Sequence, residues 1–388
     1  MHRTDLYFDE HRLGIVAPSA RLPQSEAYMT SQLDTIARRA RPSSALIIGC
    51  LVAISSLNLA WEHQVILTQM VKVNEYYAFA ARAPFIYRIL PAFICRLVFL
   101  GRANAATGLP VPLDSYYSVF QLALDAICLA TAFVFMARIT RQLNPDLPNA
   151  INVSVAGAAA LMIVVFGYFM VPNNAYFYPY DFPDLCIAAI VFFLCITAGR
   201  TAEILLPAAV YVATLNKETA AFYTGLYLIV AIQRHSNWKR VAIVLLACVA
   251  AAILARATIL FWLRRHGLDS VASGSQAEVH LSYTIQQIKN PLFLFSLMNI
   301  CSYLYLPVWA MRKRFDRTDW LILALILGWI IIVATFGIVR QLRLYVPASL
   351  LLFVIIARHL SATIATLEPR FAPALARLRG DVTPNGRA

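Results

Sequence analysis

Residues 204–233, ILLPAAVYVATLNKETAAFYTGLYLIVAIQ, decide how this chain folds, because Lys217 and Glu218 are the only charged residues in an otherwise uncharged run. An ionisable side chain at membrane depth is costly and faces a partner, a cavity or a substrate. Read as one helix, the run would carry both charges through the middle of a bilayer. Read as two arms, 204–215 and 219–233, each rises only about 20 Å at 1.5 Å per residue, short of a hydrocarbon core about 30 Å thick. The second reading predicts a helical hairpin whose NKET tip stops inside the bilayer. A backbone turning there must be buried by protein or hydrated by a water-filled cavity. Lys217 and Glu218 then line a crevice; the plainer alternative is that they pair with each other or with neighbouring helices as a structural lock.

Composition supports a membrane setting. Of the 388 residues, 60% are hydrophobic and 14% charged, and the mean hydropathy is +0.65, outside the range of soluble globular domains. The formal charge of +13 raises the question of nucleic acid. The basic residues fall between apolar runs, however, and form no continuous patch interleaved with aromatics, so no nucleic acid is expected. All seven cysteines lie inside apolar segments, with no CxxC pair and no histidine at metal spacing, which argues against disulfides and zinc. No metal or cofactor is expected. The polar stretch ahead of the first apolar run is unlike a cleaved signal peptide.

Apolar runs long enough to cross a bilayer as helices occur at 44–61, 116–137, 151–171, 181–199, 239–263, 291–311, 319–339 and 343–359. With the interrupted pair 204–215 and 219–233 they predict an all-α, polytopic transmembrane bundle of about ten segments. Lys and Arg favour cytoplasmic loops, and ARRARP, ARITRQ, QRHSNWKR, MRKRFDR and the Arg-bearing tail all fall on one side when the segments alternate. Both termini are therefore expected in the cytoplasm, and the hairpin tip points outward. The organisation that follows is a cytoplasmic region 1–42, a transmembrane domain 43–360 and a basic tail 361–388, whose arginines suit anionic lipid headgroups. Residues 62–115 form a long outer loop. Its apolar piece 89–100 is short for a span and contains Arg96, so it is expected to lie along the outer interface.

Unusual polar residues collect on the outer side. In FYPYDFPDLCIAAIV, Pro183 suits a first helical turn and Asp184 a helix start favoured by the dipole. Asp181, among Tyr178, Tyr180 and Phe182, is less easily explained by structure alone. The long outer loop offers Glu75, Arg82 and Arg88 amid aromatics and prolines. Arg340 and Arg343, in GIVRQLRLYVP, run against the positive-inside bias; lipid phosphate or a substrate diphosphate would account for them. Arg256 in the 239–263 span is a further candidate, His280 and Glu278 are weaker ones, and Asp125 is isolated within its span. Carboxylates and cations converging on one outer cavity suit a reaction in which a carboxylate takes a proton from a hydroxyl while Lys or Arg stabilise charge on a phosphate leaving group. No HExxH, GxSxG, Walker or GxGxxG pattern competes with this reading.

The long first outer loop with its acidic residue, together with PFIYRILP, YPYDFPDL, LNKETA and RQLRLYVP, resembles the GT-C superfamily of polyprenyl-phosphate-dependent glycosyltransferases over about residues 44–360. That resemblance implies a GT-C-like fold in a bacterial inner membrane. It also implies an inverting transfer of a sugar from a polyprenyl-phosphate-linked donor to a glycan or glycolipid acceptor on the outer side, among membrane lipids. GT-C enzymes place their catalytic acid in the first outer loop, where the match here is Glu75; the family more usually has an aspartate or an acidic pair, which keeps Asp181 as the rival base. Tyr178, Asp184, Lys217, Glu218, Arg82, Arg88, Arg256, His280, Arg340 and Arg343 are the substrate-binding candidates. Two other classes compete: a transporter or flippase of a lipid-linked saccharide, for which a broken hairpin is also suitable, and a surface-polysaccharide polymerase or ligase. A membrane scaffold without chemistry has the polar cluster as its main difficulty.

Overall fold

The structure is a computed structural model that describes residues 48–65, 76–77, 88–99, 107–109, 113–169, 178–197, 199–234, 237–265, 285, 299–336 and 342–366. The chain falls into two compact units, Met1–Leu51 and Val52–Ala388. In the first, residues 48–51 are described and are helical. The second contains the bundle. Its helices are α1 (residues 52–65), α2 (Leu90–Phe99), α3 (Tyr116–Leu143), α4 (Asn149–Val164), α5 (Asp181–Thr197), α6 (Arg200–Asn216), α7 (Gly225–Gln233), α8 (Trp238–Arg265), α9 (Tyr305–Ala310), α10 (Arg317–Phe336), α11 (Val346–Arg358) and α12 (Leu360–Thr366). No strand is present among the described residues.

Burial separates an inner from an outer layer. In α11 eleven of 13 residues are buried, and in α5 twelve of 17; both pack against α3 and against each other. In α8 only six of 28 are buried, Val241, Val244, Cys248, Ala255, Ile259 and Leu263, spaced as one helical stripe. Its opposite face exposes Ile243, Leu246, Val249, Ile253, Leu254 and Phe261, and exposed apolar residues recur on α1 (Ile54, Leu57), α3 (Ile127, Val134), α6 (Ile204, Leu205) and α10 (Leu327, Ile331). Apolar surface spread this widely around a bundle suits lipid and not water.

Four described helices are long and apolar enough to cross a membrane, Tyr116–Leu143, Asn149–Phe169, Trp238–Arg265 and Arg317–Thr335, with a fifth if α11 and α12, bent by 51°, count as one. Among the described residues the chain is thus all-helical, with several helices able to cross a membrane. Several other expected segments are shorter here than the sequence reading drew them. Helix α5 has 17 residues. The run 204–233 is broken as expected: α6 ends at Asn216, Lys217 is extended (φ −156°, ψ 125°), and a 3-10 turn Glu218–Thr224 leads into α7. Helix α2 falls within the short apolar piece 89–100 and packs on α6.

The expected span 291–311 differs. In its described part, Cys301, Ser302 and Tyr303 all have positive φ (57°, 55° and 58°), and only a six-residue helix, α9, follows. Left-handed backbone costs a non-glycine residue roughly 1–2 kcal/mol, so tertiary packing holds this turn. Ser302 Oγ lies 3.3 Å from Ser349 Oγ on α11, and Gly167 backs the turn, where a Cβ would sit 3.7 Å from Ser302 Oγ and 3.2 Å from Val346.

The two ends of the bundle are chemically distinct. At one end Gln142 and Thr197 are hydrogen-bonded, Arg234 donates to the carbonyls of Ile196 and Thr197, and Asn144 donates to the Ala357 carbonyl. There Arg358 also binds Asp316 and Asp319. The basic stretches around residues 138–142, 234–240 and 312–317 thus share one end, the arrangement the positive-inside reading requires. From Thr197 back to Asp181, α5 rises about 24 Å, less than the roughly 30 Å thickness of a bilayer's hydrocarbon core.

Candidate functional site

That first turn of α5 is where the unusual polar residues meet. The sequence YPYDFPD places two carboxylates at the positive end of the helix dipole with Pro183 inside the first turn. Asp181 Oδ2 accepts the Tyr178 backbone N–H at 3.0 Å, and Tyr168 donates to the Asp181 carbonyl at 3.0 Å. Asp181 Oδ1 is bound by Arg343 Nη1 at 2.9 Å, across 162 residues of sequence. Asp184 Oδ2 is bound by Lys217 Nζ at 2.6 Å and its Oδ1 accepts the Tyr223 hydroxyl at 2.9 Å. Asp181, Asp184, Lys217 and Arg343 are 4%, 5%, 7% and 8% exposed. Burial of this depth makes the pairing obligatory, since an unpaired charge would carry a large desolvation cost.

Aromatic rings frame the pairs. Tyr178 and Tyr180 stack at 5.3 Å with planes 3° apart. The Arg343 guanidinium lies 3.7 Å from the Tyr178 ring and that of Arg88 lies 4.2 Å from the Tyr180 ring, so each stacked tyrosine carries one cation on its π-system. Lys217 Nζ is also 5.8 Å from the Trp329 ring. Tyr76 hydrogen-bonds the Arg88 carbonyl and its ring is 6.4 Å from Tyr180. Among the described residues, three cations, Arg88, Lys217 and Arg343, thus stand with two carboxylates, Asp181 and Asp184. Asn216 Nδ2 donates to the Tyr180 carbonyl at 3.1 Å, and its buried Oδ1 has no partner among the described residues.

A second buried layer supports the turn from behind. His63 Nδ1 and Asp125 Oδ2 are 2.7 Å apart, both side chains fully buried. Gln121 Nε2 donates to Asp125 Oδ1 at 2.7 Å and to the Pro179 carbonyl at 3.0 Å, and Tyr77 hydrogen-bonds Gln121 Oε1. The His63 ring rests 4.4 Å from Phe182. Asp125, isolated in the sequence, is therefore hydrogen-bonded in the fold. His63, Gln121 and Tyr77 were not singled out from the sequence. The signal available was an aspartate inside a span, which demands a partner, and a histidine in WEHQ where the first apolar run ends.

Of the residues expected at the site, the structure brings together Asp181, Asp184, Tyr178, Arg88, Lys217 and Arg343. Lys217 pairs with a neighbouring helix, as the structural-lock alternative has it, through Asp184. Glu218 opens the 3-10 turn beside it. Arg256 is half-buried on α8, outside the pairs described so far. Glu75, Arg82, His280 and Arg340 lie outside the described residues, as does Glu278. Among the described residues no three His, Cys, Asp or Glu side chains gather as metal ligands. Comparison with known protein families, curated proteins and solved structures returns no match for this chain.

Proposed function

We propose that the chain is an integral membrane glycosyltransferase of the GT-C kind. It moves a sugar from a polyprenyl-phosphate donor to an envelope glycan or lipid acceptor at the outer face of a bacterial inner membrane, with both termini cytoplasmic. One observation carries the reading: a tyrosine-lined cluster of paired charges lies buried at the opposite end of the bundle from the basic loops. In this reading Arg343, Lys217 and Arg88, with Arg82 and Arg340, hold the donor phosphate, the tyrosines take the sugar face, and Asn216 Oδ1 accepts a sugar hydroxyl. Asp181 or Glu75 removes the proton from the acceptor hydroxyl as its oxygen attacks the anomeric carbon. The bond from that carbon to the phosphate oxygen breaks, and the polyprenyl phosphate leaves with the electron pair, stabilised by the cations. Asp181 now holds Arg343, so it serves as base only after Arg343 turns to the donor phosphate. Tyr76, next in sequence to Glu75, stands beside Tyr180.

The test is mass spectrometry of lipid-linked saccharides and envelope glycans from cells lacking the gene, complemented with wild type, Glu75→Gln or Asp181→Asn at matched protein levels. Loss of one sugar, accumulation of its polyprenyl-phosphate donor and failure of one variant to restore the glycan are expected. A complete saccharide accumulating on the cytoplasmic face would instead support a flippase, the second reading. That reading draws on the broken α6–α7 hairpin, with a charge pair at its break.

A further inference from the structure

A groove of about 800 Å³ runs between α6 and α8 at the basic end of the bundle, the far end of α6 from Lys217. Its lining changes character along the two helices. At the mouth stand Arg200, Glu203, Lys239 and Arg240; further along the two helices the walls are Ile204 and Pro207 of α6 and Ile243, Val244 and Ala247 of α8, with Ile204 and Ile243 themselves exposed. Arg240 and Tyr227 both bind Glu203, so the one carboxylate is already neutralised. Arg200 and Lys239 are exposed and make no ion pair among the described residues. Trp238, beside Lys239, is 57% exposed, and Trp309 and Trp320, near the basic stretch 312–317, are 66% and 59% exposed. Exposed tryptophans beside basic residues mark the headgroup level of a bilayer. From Arg200 to Pro207 the groove descends about 10 Å, enough to carry the first carbons of an acyl chain alongside Ile204 and Ile243.

We infer that this groove is a binding site for an anionic phospholipid of the leaflet at the basic end. The headgroup phosphate sits between Arg200 and Lys239, and an acyl chain lies along Ile204, Pro207 and Ile243. Charge complementarity selects the headgroup, because the mouth holds three cations against one carboxylate that Arg240 already satisfies. The exposed apolar side chains beside it select a lipid over a soluble phosphate, since a free anion would leave Ile204 and Ile243 uncovered. This site is independent of the transfer reaction, about 25 Å along α6 from Lys217.

Native mass spectrometry of the full-length protein, released from detergent with phosphatidylglycerol, phosphatidylcholine or undecaprenyl phosphate added in turn, tests it. Wild type is expected to retain one phosphatidylglycerol in preference to phosphatidylcholine. Arg200→Gln/Lys239→Gln should retain it about thirtyfold less well, from roughly fivefold per basic side chain near an anionic lipid. Ile204→Trp crowds the apolar wall and keeps every charge, so it should weaken retention as well; thermal unfolding of each variant confirms that it folds. Equal retention of phosphatidylglycerol and phosphatidylcholine by wild type overturns the inference. So does undiminished retention by both folded variants, or a preference for undecaprenyl phosphate that the variants abolish.

Discussion

Cutting the Lys217–Asp184 pair tests whether the charge cluster is a coupled unit. At a separation near 4 Å and an effective dielectric of about 20, two unit charges attract by about 4 kcal/mol, and removing one partner of a buried pair costs about 3–5 kcal/mol because the other is left uncompensated. The structure places this pair at the strong end: the contact is 2.6 Å, the side chains are 8% and 7% exposed, and Tyr223 fixes the second carboxylate oxygen. Lys217→Met and Asp184→Asn should each lose about 3–5 kcal/mol of unfolding free energy. The double variant should recover at least about 2 kcal/mol of the summed loss, because no lone charge remains. Reversible unfolding in mixed micelles, followed by tryptophan fluorescence, is the assay, with Trp329 beside Lys217 as a local reporter. Losses that add to within about 0.5 kcal/mol would refute the coupling.

Three more expectations concern folding. His63→Leu should cost about 3–5 kcal/mol by stranding Asp125 in the interior, and His63→Leu/Asp125→Leu should cost less than His63→Leu alone, measured in the same micelles. Gly225→Ala should lower the unfolding temperature, because its Cβ would meet Leu325 Cδ1 at 2.7 Å; a cost of about 1–3 kcal/mol is typical of overpacking, and Leu325→Ala should relieve it. At the basic end, burial acts to raise the Asp316 carboxyl, but the backbone N–H of Asp319 and the charge of Arg358 outweigh it and hold it below the usual range. Its contribution is therefore present above the unfolded value of about 3.9 and lost as pH falls through the lower folded value. Wild type should lose more stability below about pH 4 than Asp316→Asn in pH-dependent thermal unfolding.

Much of the fold could be read from hydropathy, and much of the cluster from charges in the wrong place. Lys217 inside an apolar run announced both a break and a buried partner, and the break falls at Lys217 itself. Which carboxylate it would meet could not be read, because Asp184 lies 33 residues away on the preceding helix, and the adjacent Glu218 was the obvious sequence neighbour. Asp181 and Arg343 were placed on the same side by topology alone, yet their contact depends on how α5 and the start of α11 pack. The left-handed turn at Cys301–Tyr303 left no trace in the sequence, since it contains no glycine or asparagine. Its conformation is imposed by packing around Ser349 and Gly167. His63 carries no such signal, because the first apolar run ends at residue 61, two residues before it.

The Asp181–Arg343 contact also sets an order of events for the ribosome. Asp181 is made with α5, and the arginine that neutralises it is made 162 residues later. At about 5–20 residues per second that interval is on the order of ten seconds or more. Throughout it, the nascent chain carries a carboxylate whose counter-ion does not yet exist. Lys217 arrives far sooner and completes only the Asp184 half of the cluster. Chains halted before Arg343 therefore hold the Asp184 half of the cluster paired and the Asp181 half without its counter-ion.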